Sequence, residues 1–352
     1  MERYVGLDSH ARSCTLGVMS AGGRRLQSLV VETNGRALVE AVRGIGGRVH
    51  LCLEEGTQSA WLYELLKPHV AEVVVAMAPE RKGPKDDQRD AWARANELRT
   101  GAIETRVFKA PEHLAGLRNA VRAYGFAVTD VVRAKNRLKS VFLSRGISTD
   151  ASVYNPTKRT AWLKELSSPH VELAEWLGRQ LDQLEPQREE AERRLLAESK
   201  KHPIIRKLST APGMGPIRTA QVVAIVATPE RFRTRRQLWS YSGLGIVTRS
   251  SADWVQDRTG KWVRAQRAQT RGLSRKRQPR LKAVFKGAAT TVIAQLKDDP
   301  LHADYERMLN SGIKPTLAKL TLARKIAGTV LSMWKHQEVY DPKRHRPTLE
   351  QQ

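Results

Sequence analysis

Four carboxylates, Asp8, Glu55, Asp87 and Asp90, fall in three short segments that each read as a strand end or a helix start. Metal-assisted phosphoryl transfer needs such an arrangement. Mg²⁺ is a hard cation that binds carboxylate oxygen and keeps several waters. Two such ions about 3.5–4 Å apart can hold both the attacking and the leaving oxygen of an in-line displacement. Asp8 ends the apolar run Tyr4-Val5-Gly6-Leu7-Asp8 and Glu55 ends the run from Val49, while Asp87 and Asp90 stand three apart at the head of a helical stretch. Residues at that spacing share one helix face. Taken singly, each acid has a structural explanation as a turn former, a solvated charge or a helix-dipole charge. Asp8 resists it most, because it interrupts a strand that should be buried, and a buried charge needs a partner or a metal. Glu54, adjacent to Glu55, is the alternative ligand at its position.

The composition narrows the partner. In 352 residues, 61 Lys and Arg against 36 Asp and Glu give a formal net charge of +25. So large an excess points to a polyanion, most commonly nucleic acid. A membrane is the competing reading, but no apolar run approaches the roughly 20 residues of a spanning helix, and the N-terminus lacks a signal-peptide core. Cys14 and Cys52 are the two cysteines, without zinc-ligand spacing, and read as reduced core residues of a cytoplasmic protein. At 40% hydrophobic residues the chain is globular, long enough for two or three domains.

The elements that must position the acids follow from hydrophobic periodicity. Strands are predicted at 4–8, 14–19 and 26–32, then a helix from about 35 to 42, a strand at 49–53, a helix from about 59 to 68 and a strand at 70–76. This is the order of a ribonuclease-H-like domain, with the first strand central and the fourth beside it, so that Asp8 and Glu55 approach each other near the strands' carboxyl ends.

From Ala110 to about Lys200 the pattern becomes helical. Leu114, Leu117, Val121, Tyr124, Val128, Val131, Leu138 and Phe142 form one stripe with Lys135 as its polar break. Leu173, Leu177, Leu181, Leu184, Ala191 and Leu195 form a second, with a kink expected at Pro186. Two packed helices serving as a spacer explain both, and an arm that also mediates dimerisation is the functional version. Beyond Pro203, Gly213 and Gly215 make a turn between helical stretches of the helix-hairpin-helix kind, where backbone N–H groups meet phosphate. From Arg258 to Lys286 there are eleven Lys or Arg and no acid, interleaved with Trp262 and Phe285. A run so one-sided is expected to contact phosphates. Its candidate nucleic-acid-binding residues are Arg258, Lys261, Arg264, Arg267, Arg271, Arg275, Lys276, Arg277, Arg280 and Lys282, joined by Arg249, Gly213 and Gly215.

These pieces occur in a recognisable order: Val5-Gly6-Leu7-Asp8; Glu55-Gly56-Thr57 with Trp61; Lys85-Asp86-Asp87-Gln88-Arg89-Asp90-Ala91; Pro212-Gly213-Met214-Gly215-Pro216; Ser242-Gly243-Leu244, then Ser250-Ser251. The order resembles the DEDD transposases of the insertion-sequence one-ten family over nearly the whole chain. The resemblance implies a RuvC-like, ribonuclease-H-like catalytic domain (1–109), a helical coiled-coil spacer (110–200), a mainly helical C-terminal transposase domain (201–340) and a tail (341–352). It further implies Asp8, Glu55, Asp87 and Asp90 as ligands of Mg²⁺ or Mn²⁺, and Ser251 as the nucleophile, with Ser250 the alternative. The implied partners are donor and target DNA, an element-encoded bridge RNA and further copies of the chain in a dimer or tetramer, without membrane. The implied location is the bacterial cytoplasm, at the nucleoid. Asp86 stands where the family usually has Thr or Ser, and Ala252-Asp253-Trp254 replaces the Gly that commonly follows the serine. Two other readings fit the residues: a RuvC-like nuclease or junction resolvase using water, and a non-catalytic basic nucleic-acid-binding protein.

Overall fold

A computed structural model describes residues 1–77, 86–109, 111–249, 254–264, 269–273 and 277–344. The chain forms two compact units, Met1–Glu112 and His113–Gln352.

In the first unit, β1 (Glu2–Ser9), β2 (Ser13–Ser20) and β3 (Arg25–Glu32) form an antiparallel meander, followed by α1 (Gly35–Gly44), β4 (Arg48–Glu54), α2 (Ser59–Leu66), β5 (Glu72–Ala76) and α3 (Asp87–Thr100). The strand order is β3-β2-β1-β4-β5, with β4 parallel to β1 and β5 parallel to β4. This is the ribonuclease-H-like arrangement that the sequence pattern predicts, with β1 central. Alternation assigns the faces. Val5, Leu7, Leu51 and Leu53 point into one core with Leu38 and Val42 of α1 and Leu62 and Leu66 of α2. Cys52, Val74 and Ala76 point to the other face, against Leu98 of α3.

α3 lies unusually close to the sheet, and two glycines permit it. A Cβ at Gly6 would fall 2.0 Å from the Ala91 carbonyl oxygen, and one at Gly17 would fall 3.1 Å from the Trp92 nitrogen. Asp86 caps the helix by accepting from the Arg89 N–H (3.0 Å), and Gly101 ends it in the left-handed region (φ 71°). Asp86 therefore has a structural task at this turn.

The second unit is helical. α4 (Ala115–Leu143) is followed by α5 (Pro156–Leu163) and by α6 (Ser168–Ser199), which continues through Pro186. α7 (Pro203–Leu208), α8 (Gly215–Val226) and α9 (Arg235–Tyr241) precede four short strands, β6 (Ile246–Arg249), β7 (Trp254–Gln256), β8 (Trp262–Arg264) and β9 (Gln269–Leu273). α10 (Pro279–Gln295), α11 (Pro300–Asn310) and α12 (Pro315–His336) complete it. Leu117, Val121 and Leu195, at the base of the α4/α6 pair, join the large core of α8, α10 and α12, whereas Val131, Leu138, Phe142, Leu177 and Leu181 form a separate core along the pair. The expected spacer and the expected transposase domain thus lie in one compact unit. Lys135 breaks the α4 stripe because it pairs with Glu185 of α6 (2.5 Å) and stacks over Tyr154. Leu173, expected in the second stripe, is exposed; Ala174, Leu177, Gly178 and Leu181 face inward instead. A strict four-residue repeat drifts around a 3.6-residue helix, which rotates Leu173 out of the seam. Phe285 is fully buried on α10, so of the two aromatics in the basic run only Trp262 is exposed.

Candidate metal and nucleic-acid sites

Register and close helix packing assemble the acid corner. Asp8 lies on β1 two residues beyond Gly6, hence on the α3 face, and α3 brings Asp87 and Asp90 to the same corner in its first turn. His10, just past the strand, joins them: its Nε2 is 3.3 Å from Asp8 Oδ2 and 3.0 Å from Asp87 Oδ2. Asp8, His10 and Asp87 each offer a ligand atom within 4.8 Å of the others. One carboxylate oxygen of Asp8 and one of Asp90 are shielded from solvent. Two carboxylates and an imidazole make a donor set that fits a divalent cation.

The sequence reading missed His10. The signal available was its spacing from Asp8, since residues two apart at a strand end point the same way. Its backbone is pinned: the His10 carbonyl accepts from the Thr33 hydroxyl (2.8 Å), and the His10 N–H donates to Ser13 (2.9 Å).

The adjacent glutamates part company. Leu7 pairs with Leu53, so Glu54 continues along the Asp8 face, where it accepts from Arg94 of α3 (3.1 Å). Arg94 is buried and also bonds Glu97 (2.6 Å). Burial opposes its charge, but Glu97 and Glu54 outweigh burial and raise its pKa. Glu55 sits past the strand end, anchored by its N–H to Ala76, and its carboxylate accepts from Ser59 (2.9 Å) and pairs with Lys109. Asp8 and Asp87 are therefore brought together with His10, and Asp90 lies in the same first turn of α3, while Glu54 pairs with Arg94 and Glu55 with Lys109. Desolvation pushes the Cys52 thiol, on the α3 face, up to about 12, which keeps it neutral and inert.

In the second unit, Gly213 (φ 71°) and Gly215 (φ 57°) form the expected turn between α7 and α8. A Cβ at Gly213 would fall 2.3 Å from the Ala288 carbonyl oxygen, so packing against α10 already requires this glycine. Ser242 is fully buried and donates to the Trp239 carbonyl (3.2 Å), and the Leu244 carbonyl accepts from Arg324 (2.7 Å). Ser242-Gly243-Leu244 is thus a structural turn that launches β6. Ser250 and Ser251 lie outside the described residues, as do Arg267, Arg275 and Lys276. Arg249, Arg264 and Arg271 are placed by backbone alone, on β6, β8 and β9. Arg258, Lys261, Arg277 and Arg280 are exposed. Lys282 is half-buried, and its pKa is lowered first by burial and then by Arg277 and Lys286. Among the described residues no helix is long and apolar enough to cross a membrane.

Comparison with known sequences agrees with this architecture. A DEDD transposase profile of the IS110 type matches residues 5–145, and the profile of the transposase IS116/IS110/IS902 family matches residues 205–306. The chain is also 30% identical over 135 residues to an uncharacterized 44.8 kDa protein of insertion element IS116 from Streptomyces clavuligerus. That alignment covers 38% of this chain and 30% of the relative. With its acid corner on a ribonuclease-H-like sheet and family matches in both units, the chain belongs to the IS110 family of DEDD transposases.

Proposed function

We propose that this protein is a DNA transposase or recombinase of an insertion sequence that cuts and exchanges strands by metal-assisted attack of a serine on a DNA phosphate. The observation that carries the reading is the convergence of Asp8, His10 and Asp87, with Asp90 one turn along α3, at the carboxyl end of the central strand. Asp8, Asp87 and Asp90 would hold Mg²⁺ or Mn²⁺, with Glu55 as the fourth acid and Glu54 as its alternative. The chemistry a divalent cation would supply when bound there is polarisation of the phosphate and stabilisation of the departing oxygen.

The protein's own residues do the rest. His10 orients Asp8 and Asp87 or adds a neutral ligand. Glu54 holds Arg94, which ties α3 to the sheet and so fixes the spacing of the aspartates. Ser251 supplies the nucleophile: its Oγ–P bond forms as one backbone P–O bond breaks, and the serine proton passes to the leaving oxygen. The phosphodiester energy is kept in the protein–DNA link, so resealing needs no external source. Arg258, Lys261, Arg277, Arg280 and Lys282 neutralise flanking phosphates. Ser250 is the alternative nucleophile, and a bridge RNA guides a dimer or tetramer of the protein in the bacterial cytoplasm.

The test is Ser251→Ala with a search for a protein–DNA adduct that survives denaturation. Loss of the adduct is expected, while an adduct of unchanged yield rules out Ser251. The acid corner would also serve a nuclease using activated water. That reading predicts no covalent species in the wild type and full cleavage by Ser251→Ala.

A further inference from the structure

The β7–β8 hairpin carries side chains that neither the acid corner nor a core uses. Its strands pair Trp254 with Arg264, Val255 with Val263 and Gln256 with Trp262. Alternation therefore puts Trp254 and Trp262 on one face as diagonal neighbours, a relation that typically separates residues by about 7–8 Å. Both indoles are more than half exposed, Trp254 at 57% and Trp262 at 60%. A two-stranded ribbon gains little stability by itself, and two large aromatics facing solvent on one side of it mark an interaction surface.

The turn shows why the rim of this face is cationic. Asp257, the acid of the hairpin, directs its carboxylate inward, accepting from the Thr259 N–H (2.8 Å), the Thr259 hydroxyl (2.6 Å) and the Lys261 N–H (3.1 Å). Gly260 takes the left-handed conformation that closes the turn (φ 78°). Arg258 and Lys261 project from it, exposed and without an ion pair among the described residues. No acid follows until after Lys286. An aromatic face with an exposed cationic rim suits a ligand that offers flat rings on a phosphate backbone.

We infer that this hairpin is a stacking platform for unpaired bases of single-stranded DNA, with Trp254 and Trp262 against the bases and Arg258 and Lys261 against adjacent phosphates. Paired bases in a duplex are covered by their neighbours, so only an opened strand presents a free ring face. DNA is the source favoured here, because Trp254 follows Ser251 by three residues and strand exchange exposes unpaired bases beside the attacked phosphate. The inference rests on the proposed recombinase reading for that choice of ligand.

Equilibrium binding of an unlabelled-tail thymidine oligonucleotide, in chelator and without cleavage, tests it. Trp254→Ala and Trp262→Ala should each lower affinity about 5- to 100-fold, and Trp→Phe at either site should retain most of it. The salt slope should stay unchanged in these variants and fall by about 0.7 for Arg258→Gln or Lys261→Gln. Duplex affinity should change little, and thermal midpoints should match the wild type. Unchanged oligonucleotide affinity in the double alanine variant overturns the inference. So does tryptophan dependence that appears only with unpaired RNA, or only with anionic phospholipid vesicles. Tryptophan-dependent binding by a protein that forms no adduct leaves the platform standing and sinks the serine mechanism. Adduct formation with unaltered binding by the double variant does the reverse.

Discussion

The acid corner and the basic hairpin are built in opposite ways. Asp8, His10 and Asp87 come from a central strand, the turn after it and a helix nearly eighty residues on, and their approach depends on strand register and on helix packing through Gly6. The candidate phosphate-contacting cations come from one continuous run of sequence, and the described ones lie on short ribbons, in their turn and at the start of α10. A site made by tertiary convergence is fixed by the fold and is sensitive to distant packing. A site made by local display is nearly independent of the core. Substitutions in the packing behind the first should therefore move stability and metal response together, and substitutions in the second should move binding alone.

The largest expected effect is on chemistry. Asp87→Asn or Asp90→Asn should lower strand cleavage by about 10²–10³-fold, the usual scale for removing one transition-state-stabilising group. Cleavage near wild-type level in both would separate α3 from the active site. Next, Gly6→Val should destabilise the first unit by about 3 kcal/mol, the upper end of overpacking costs, and should weaken metal binding, since the backbone of α3 must move away. Chemical denaturation with and without Mn²⁺ checks this, and an unaffected metal response would break the link between packing and site. Thr33→Val removes the hydroxyl that fixes the His10 carbonyl and should cost about 10–100-fold in Mn²⁺ affinity with little change in stability.

The smallest effect contrasts with these. Glu185 has its pKa lowered, first by Lys135 and further by Arg188. A depressed folded-state value adds stability that is present above the usual carboxylate value of 4.5 and lost as pH falls through the folded value. Glu185→Gln should therefore cost at most about 1 kcal/mol at pH 7 and nothing at pH 2, as read from unfolding midpoints at the two pH values. An equal cost at both would mean that the pair does not act through charge.

Much of the first unit was legible in the sequence, because alternating apolar residues fix both strand identity and face. Tyr4 to Asp8 and Val49 to Glu55 gave the central pair and so the position of Asp8. Two features were harder to read. The spacing Asp8-Ser9-His10 is short enough to pass for an ordinary turn, and only the approach of Asp87 turns His10 into part of a cluster. The split between Glu54 and Glu55 depends on register against Leu7, which neighbouring residues do not encode locally. In the second unit, Gly213 resembled a phosphate-binding glycine, and close packing on Ala288 gives it a different reason to be there. Phe285 sat in the basic run yet belongs to the core, because α10 begins at Pro279 and turns that side chain inward.

The most direct test of the account is thermal unfolding of the wild type and of Asp8→Asn across a Mn²⁺ titration. The wild type should gain about 2.7 kcal/mol at a hundredfold excess over its dissociation constant. Asp8→Asn should unfold at or above the wild-type midpoint without metal and should not respond to Mn²⁺. An Asp8→Asn protein that gains as much from Mn²⁺ as the wild type would contradict the assignment of the acid corner as the metal site.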